Sequence, residues 1–154
     1  MEMLAGDSRR DQTCYDDIVE GMELAEAKWC ATFEAVAGLI SSDFEYDPWY
    51  LGDLAHSGVV PPLATYPVVR AQIASALNLR GFLTQFSMEL LQPIPYGLEL
   101  TIHASISNKW VKRSRGYVAV IACGSHGHAE YFRTRRVHVL DYVRGAAFSR
   151  SEEQ

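Results

Sequence analysis

The sequence predicts an α+β fold in which an antiparallel sheet wraps one long central helix. Two observations predict it. Residues 62–78 read as a helix, with Leu63, Val68, Ala71, Ile73, Ala74 and Leu77 leaving it apolar on most sides, and such a helix needs to be surrounded. From Gly81 onward the pattern changes to strands, and Leu98–Ile106 alternates strictly with a period of two. An order of helix, loop, long helix, then three or four long strands is the order of a sheet packed on one helix.

The chain has 154 residues, 48% of them hydrophobic, and a net charge of −5. That length suits one domain with a substantial core. The apolar content excludes a disordered chain, and the negative balance argues against nucleic-acid binding through bulk charge. A separate nucleotide-binding domain has no room. An active site must be built from one small core or shared with a second copy.

Taken in order, residues 1–15 are polar and read as a flexible N-terminus, and Asp16–Leu24 shows no clear element. Thr32 is a plausible N-cap for a helix through Val36, Ala37, Leu39 and Ile40, which Ser41 and Ser42 end. Residues 43–53 form an aromatic and acidic loop, in which Pro48 drives Asp47 out of the helical region. Loops of that composition pack inward and carry function. Pro61 and Pro62 open the long helix, and Pro67 kinks it or delays its start. Strands are expected over Phe82–Leu91, Leu98–Ile106, Tyr117–Ala122 and Tyr131–Leu140. Pro93–Gly97 is a turn, Lys109–Gly116 a basic turn, and Cys123–His128 a bend or bulge. The folded domain is expected over 16–145, with 146–154 a flexible tail.

No apolar run reaches the roughly 18 residues of a membrane span, and Met1–Tyr15 lacks a signal-peptide core. Cys14, Cys30 and Cys123 are odd in number without paired spacing, which fits free thiols in a reducing cytoplasm.

Thr32–Ala37, Glu45–Tyr50 around Pro48, Gly58-Val59-Val60-Pro61-Pro62-Leu63, the turn Pro93–Gly97 and Lys112–Gly116 together carry a resemblance. Over roughly residues 20–140 the chain resembles the MaoC-like hydratase/dehydratase family, in the branch related to the dehydratase domain of fungal fatty-acid synthase. The resemblance implies a hot-dog fold and a 3-hydroxyacyl thioester as substrate, carried on coenzyme A or acyl carrier protein. It implies no cofactor. It also implies dimers, either of one chain or of an active and an inactive chain. Physics points the same way, since an unpaired strand edge and an apolar face need covering.

The sequence departs from that family at its catalytic pair, an Asp followed five positions later by a His. The aligned positions hold Glu45 and Tyr50. The residues five before His56, His103, His126, His128 and His138 are Leu51, Leu98, Ile121, Cys123 and Arg133, so no acid-x4-His pair exists. Dehydration needs a base for the proton beside the carbonyl, an acid for the departing hydroxyl and donors for the enolate oxygen. Glu45, Tyr50, Asp53 and His56 are the acid/base candidates, and His56 has the intrinsic pKa for neutral pH. Gly58 permits close approach of a thioester before a helix N-terminus. The amides of Gly58, Val59 and Leu63 are therefore the candidate oxyanion donors, with Trp49 beside the substrate.

Other features weigh less. His126-Gly127-His128 lacks the further ligands of a metal site, and no metal is expected. Lys109, Lys112, Arg113 and Arg115 suit either a solvated turn or the phosphates of a carrier. Arg133, Arg135 and Arg136 share that ambiguity. A thioesterase would need a carboxylate on the central helix, and residues 63–79 contain none. Two functional classes remain, a lyase or related cyclase or isomerase working through an enolate, and a non-catalytic acyl-binding partner subunit.

Overall fold

The computed structural model describes residues 13–42, 59–79 and 81–140. Strand β1 (Ala27–Cys30) leads into helix α1 (Phe33–Ser42). The central helix α2 (Thr65–Ala76) follows, and then β2 (Gly81–Leu90), β3 (Glu99–Lys112), β4 (Arg115–His126) and β5 (Ala129–Leu140). All five strands form one antiparallel sheet in the order β1-β3-β4-β5-β2. No described helix is long and apolar enough to cross a membrane. Residues 1–12 of the expected N-terminal tail 1–15, the last residues 141–145 of the expected domain, the expected tail 146–154 and the aromatic and acidic loop 43–53 lie outside the described residues.

Alternation decides which face of the sheet is inside. Leu100, Ile102, Ala104 and Ile106 of β3 are buried, as are Val118, Val120 and Ala122 of β4. The register sets Ile102 opposite Gly124, Ala104 opposite Ala122 and Ile106 opposite Val120, so these inward side chains form continuous rows. Val69 and Ile73 of α2, with Leu77 just beyond its end, complete the same core. Gly124 has a steric reason. A Cβ there would lie 2.2 Å from the fully buried Phe132 ring, which crosses the strand at that point.

The expected cap of α1 is present: Thr32 Oγ1 accepts the Ala35 amide at 3.3 Å. Proline placement also matches. A 3-10 turn, Pro62–Ala64, precedes α2, and Pro67 sits in the first helical turn, where its missing N–H leaves nothing unpaired.

Three expectations need correction. Asp16–Leu24 is structured: a 3-10 turn at Tyr15–Asp17 leads to a segment that extends the sheet along β3, through Gly21 N to Ile106 O and Leu24 N to Ala104 O, both 2.8 Å. The basic turn shrinks to Arg113 and Ser114, whose φ values of 50° and 57° give the twist a two-residue hairpin needs; Lys109–Lys112 belongs to β3. The bend or bulge expected at Cys123–His128 is found as a register irregularity at Gly124/Ser125 within β4 and a turn at Gly127 and His128. The central helix is one-sided rather than apolar on most sides. Arg70, Ala71, Ala74 and Ser75 are exposed, while buried Gln72 donates to the carbonyls of Ala25 and Ile102, each at 2.9 Å.

Candidate functional site

The entry to α2 is fixed by backbone pairing. Val59 bridges Pro95, and the buried Val60 donates its amide to Ile94 O at 2.7 Å. The Pro93–Gly97 turn therefore holds the start of the helix, and the bridge uses the amide of Val60, not that of Val59. Thr65 is fully buried there and donates to Pro62 O at 2.8 Å. Of the proposed substrate-contacting residues, Val59 is half-buried at this entry, and the Leu63 side chain is 51% exposed. Glu45, Trp49, Tyr50, Asp53, His56 and Gly58 lie outside the described residues.

Two cavities lined by described residues lie against the sheet. The first, about 570 Å³, lies on the outer face among His103, Cys123, Arg133, Arg135, Glu26 and Glu130. Within it His103 Nδ1 lies 3.2 Å from Glu26 Oε1, and Arg133 pairs with Glu130. Burial, and then the Glu130 carboxylate, push the Cys123 thiol up. The thiol therefore stays protonated at neutral pH and is a poor nucleophile.

The second cavity, about 500 Å³, lies between α2 and the β2–β5 edge. Tyr66, Arg70, Ile73 and Leu77 line it from the helix, and Leu83, Arg136 and His138 from the strands. Arg136 is 1% exposed. Its guanidinium lies 4.1 Å from the centre of the Tyr66 ring and donates to Tyr66 O at 2.7 Å. Phe86 meets Tyr66 edge-on at 5.3 Å and supports that ring. Burial lowers the Arg136 pKa from a high starting value, so the group remains a cation. Burial, and then Arg136, hold the His138 imidazole below its usual range. His138 is accordingly neutral at pH 7.

The sequence singled out neither Arg136 nor His138 for this cavity. Both occupy inward positions of β5 between Phe132 and Leu140, a placement that the register with β4 reveals. Of the larger apolar and aromatic side chains near the central helix and the strands, Tyr66 and Ile73 line this cavity. Val69 is in the core, Phe82 is exposed, and Trp110 stacks on Tyr117 at 5.5 Å on the hairpin. Within the basic cluster, Lys109 is engaged with Tyr15, through its carbonyl at 3.2 Å and its ring at 4.5 Å. Lys112, Arg113 and Arg115 are exposed. Among the described residues no three His, Cys, Asp or Glu side chains cluster as metal ligands.

No protein-family model matches the sequence, and no curated protein is significantly similar to it. Solved structures do match. The chain is similar to the HadBC (3R)-hydroxyacyl-ACP dehydratase complex of Mycobacterium tuberculosis, with a TM-score of 0.68, 10% identity, and 79% of this chain and 96% of that chain covered. It is similar to a MaoC-like dehydratase from Rhodospirillum rubrum (TM-score 0.66, 14% identity, 81% and 94% covered). It is also similar to the R-hydratase PhaJ1 of Pseudomonas aeruginosa (TM-score 0.66, 14% identity, 84% and 86% covered). The fold is thus the hot-dog fold, α+β, in the form seen in MaoC-like dehydratases and hydratases. At these identities the likeness is one of fold, and fold alone does not settle chemistry.

Proposed function

We propose that the chain is a dehydratase/hydratase-like lyase acting on a β-hydroxyacyl thioester, or a polyketide-like intermediate, carried on coenzyme A or acyl carrier protein. The observation that carries this reading is the shared fold over about four-fifths of the chain with an R-hydratase and a (3R)-hydroxyacyl-ACP dehydratase. In the dehydration direction a base takes the proton beside the thioester carbonyl, and the electron pair moves onto the carbonyl oxygen. An acid then protonates the β-hydroxyl, which leaves as water as the double bond forms. Glu45, Tyr50, Asp53 and His56 supply the base and acid. The amides of Gly58, Val59 and Leu63 hold the enolate oxygen, and Trp49 packs on the acyl group. The steps balance without a bound cofactor. Three free cysteines suit a cytoplasmic protein, and the folded unit is read as 16–145.

Acid/base groups typically contribute about 10²–10⁴-fold in rate. Alanine at His56 and at Tyr50 should each lower turnover by about that range. Full turnover in both variants would show the assignment to be wrong.

A second reading, a non-catalytic acyl-binding subunit paired with a related hot-dog chain, has its own support. The sequence has no acid-x4-His pair, and HadBC is itself a complex. Strand β2 is the long edge of the sheet, paired only with β5, and it leaves Phe82 67% exposed. Such an edge calls for a partner strand. Size analysis of the purified chain should give a dimer that Phe82→Lys weakens. A stable monomer at micromolar concentration contradicts pairing.

A further inference from the structure

We propose that the outer-face cavity binds a short peptide or a similar zwitterion, lying across the strands with its ammonium on Glu23, its carboxylate on Arg135 and its apolar middle on Ile121. The proposal uses none of the residues assigned to acid/base work and does not rest on the lyase reading.

Register places these side chains in one line. Glu23 bridges Ser105, Ser105 pairs with Ile121, and Ile121 pairs with Arg135. Side chains opposite one another across an antiparallel pair share a face, so the row runs straight across the outside of the sheet. All four residues line the same cavity of about 570 Å³, within the range of about 300–1,000 Å³ usual for small-molecule sites. The neighbouring row engages its own charges: His103 Nδ1 meets Glu26, and Arg133 is held by Glu130. The side chains of Glu23 and Arg135 form no ion pair or hydrogen bond among the described residues. Glu23 is exposed and Arg135 half-buried, so both are open to a ligand. Between them Ile121 is 42% exposed and leaves an apolar floor. The cavity therefore has one unused pole of each sign and an apolar centre.

The spacing selects the ligand. Glu23 and Arg135 stand three strand spacings apart, about 14 Å. Exposed charges separated by more than a Debye length of about 8–10 Å are largely screened from each other, so the two poles do not satisfy one another. A ligand with a single charge would leave one of them unused. An extended tripeptide spans about 10 Å, and charge-assisted contacts of about 2.8 Å at its two ends account for the rest. Its ammonium donates to the Glu23 carboxylate. Its terminal carboxylate accepts two parallel N–H donors from the Arg135 guanidinium. An apolar side chain in the middle covers Ile121 and removes that surface from water.

The test is a titration of the full-length chain with the tripeptide Ala-Leu-Ala, followed by the methyl resonances of Ile121. They should shift saturably. N-acetylation removes the ammonium and C-amidation removes the carboxylate. Each cap should weaken binding about three- to fivefold, the upper range of an exposed ion pair. In Glu23→Gln the acetylated and free peptides should bind alike, and in Arg135→Gln the amidated and free peptides should. Both substitutions change partly or fully exposed side chains without stranding a partner, so neither should disturb folding. Should either variant fail to fold, the capped peptides on the wild-type chain decide. Three results would each overturn the proposal: no saturable shift at Ile121, capped peptides binding as tightly as the free one, or an unchanged preference for the free peptide in the folded variants. A second chain covering the cavity would register as the first of these. Turnover is not among the readouts, so the lyase reading stands or falls separately.

Discussion

Along β3 and β4 the inward positions hold Leu100, Ile102, Ala104, Ile106, Val118, Val120 and Ala122, while along β5 they hold Phe132, Thr134, Arg136, His138 and Leu140. Both rows face α2 across one sheet. The first packs against Val69 and Ile73 without a polar side chain, and its stability comes from apolar area removed from water. The second inserts a cation, an imidazole and a hydroxyl at the same depth, and a cavity remains beside them. Thr134 Oγ1, Arg136 Nε and His138 Nε2 have no partners among the described residues. One half of the inner face is therefore built for packing. The other half keeps polar groups where packing alone would favour Val or Leu.

The sharpest way to break this comparison is to remove packing on the apolar side. Ile102→Ala truncates a fully buried side chain and should cost about 2–5 kcal/mol, as such truncations do. Urea unfolding measures it. Next in size is Gly124→Ala, which pushes a methyl against the Phe132 ring and should cost about 1–3 kcal/mol of overpacking. On the polar side Arg136→Met should change stability by less than about 1.5 kcal/mol in either direction. A similar-sized apolar side chain replaces a buried charge there, and no counter-ion is left stranded. A loss equal to that of Ile102→Ala would make Arg136 a structural residue.

The smallest expected effect is a pH dependence at His138. Burial, with Arg136 adding to it, lowers the folded-state pKa below its ordinary value of 6.5, so below that pH the unfolded chain binds the proton more readily. The contribution is complete above the unfolded pKa and is lost as pH falls from there through the folded value. The wild type should therefore lose stability between pH 7 and pH 5 more steeply than His138→Phe. Thermal melts at both pH values would show it, and parallel slopes would contradict it.

Legibility in the sequence followed the strength of the local signal. Thr32 before an apolar helix face, and the strict alternation of Leu98–Ile106, each fixed an element because capping and the strand period are local physics. Ala27–Cys30 gave no such signal: four residues are too few to show a period, and only Ala27 and Trp29 are half-buried. The hairpin at Arg113–Ser114 was hidden because Arg113 and the neighbouring Lys109, Lys112 and Arg115 together read as an extended basic loop. Arg136 and His138 were hidden differently. Alternation assigns charged residues outward, and only the register with β4, which places Arg136 opposite Val120 and His138 opposite Val118, shows that they point in. Residues 43–53 were legible as an unusual aromatic and acidic composition, and the roles of Glu45, Tyr50, Asp53 and the following His56 as acid and base are a proposal drawn from resemblance and chemistry.

The lyase reading is tested most directly with the purified chain alone, as a single homogeneous species, given 2-enoyl thioesters of coenzyme A of increasing chain length. Addition of water is followed by loss of the conjugated enoyl absorbance. The account predicts catalysed hydration, reduced about 10²-fold or more by His56→Ala. A folded, homogeneous chain that hydrates none of the series would contradict it and leave the chain as a non-catalytic partner.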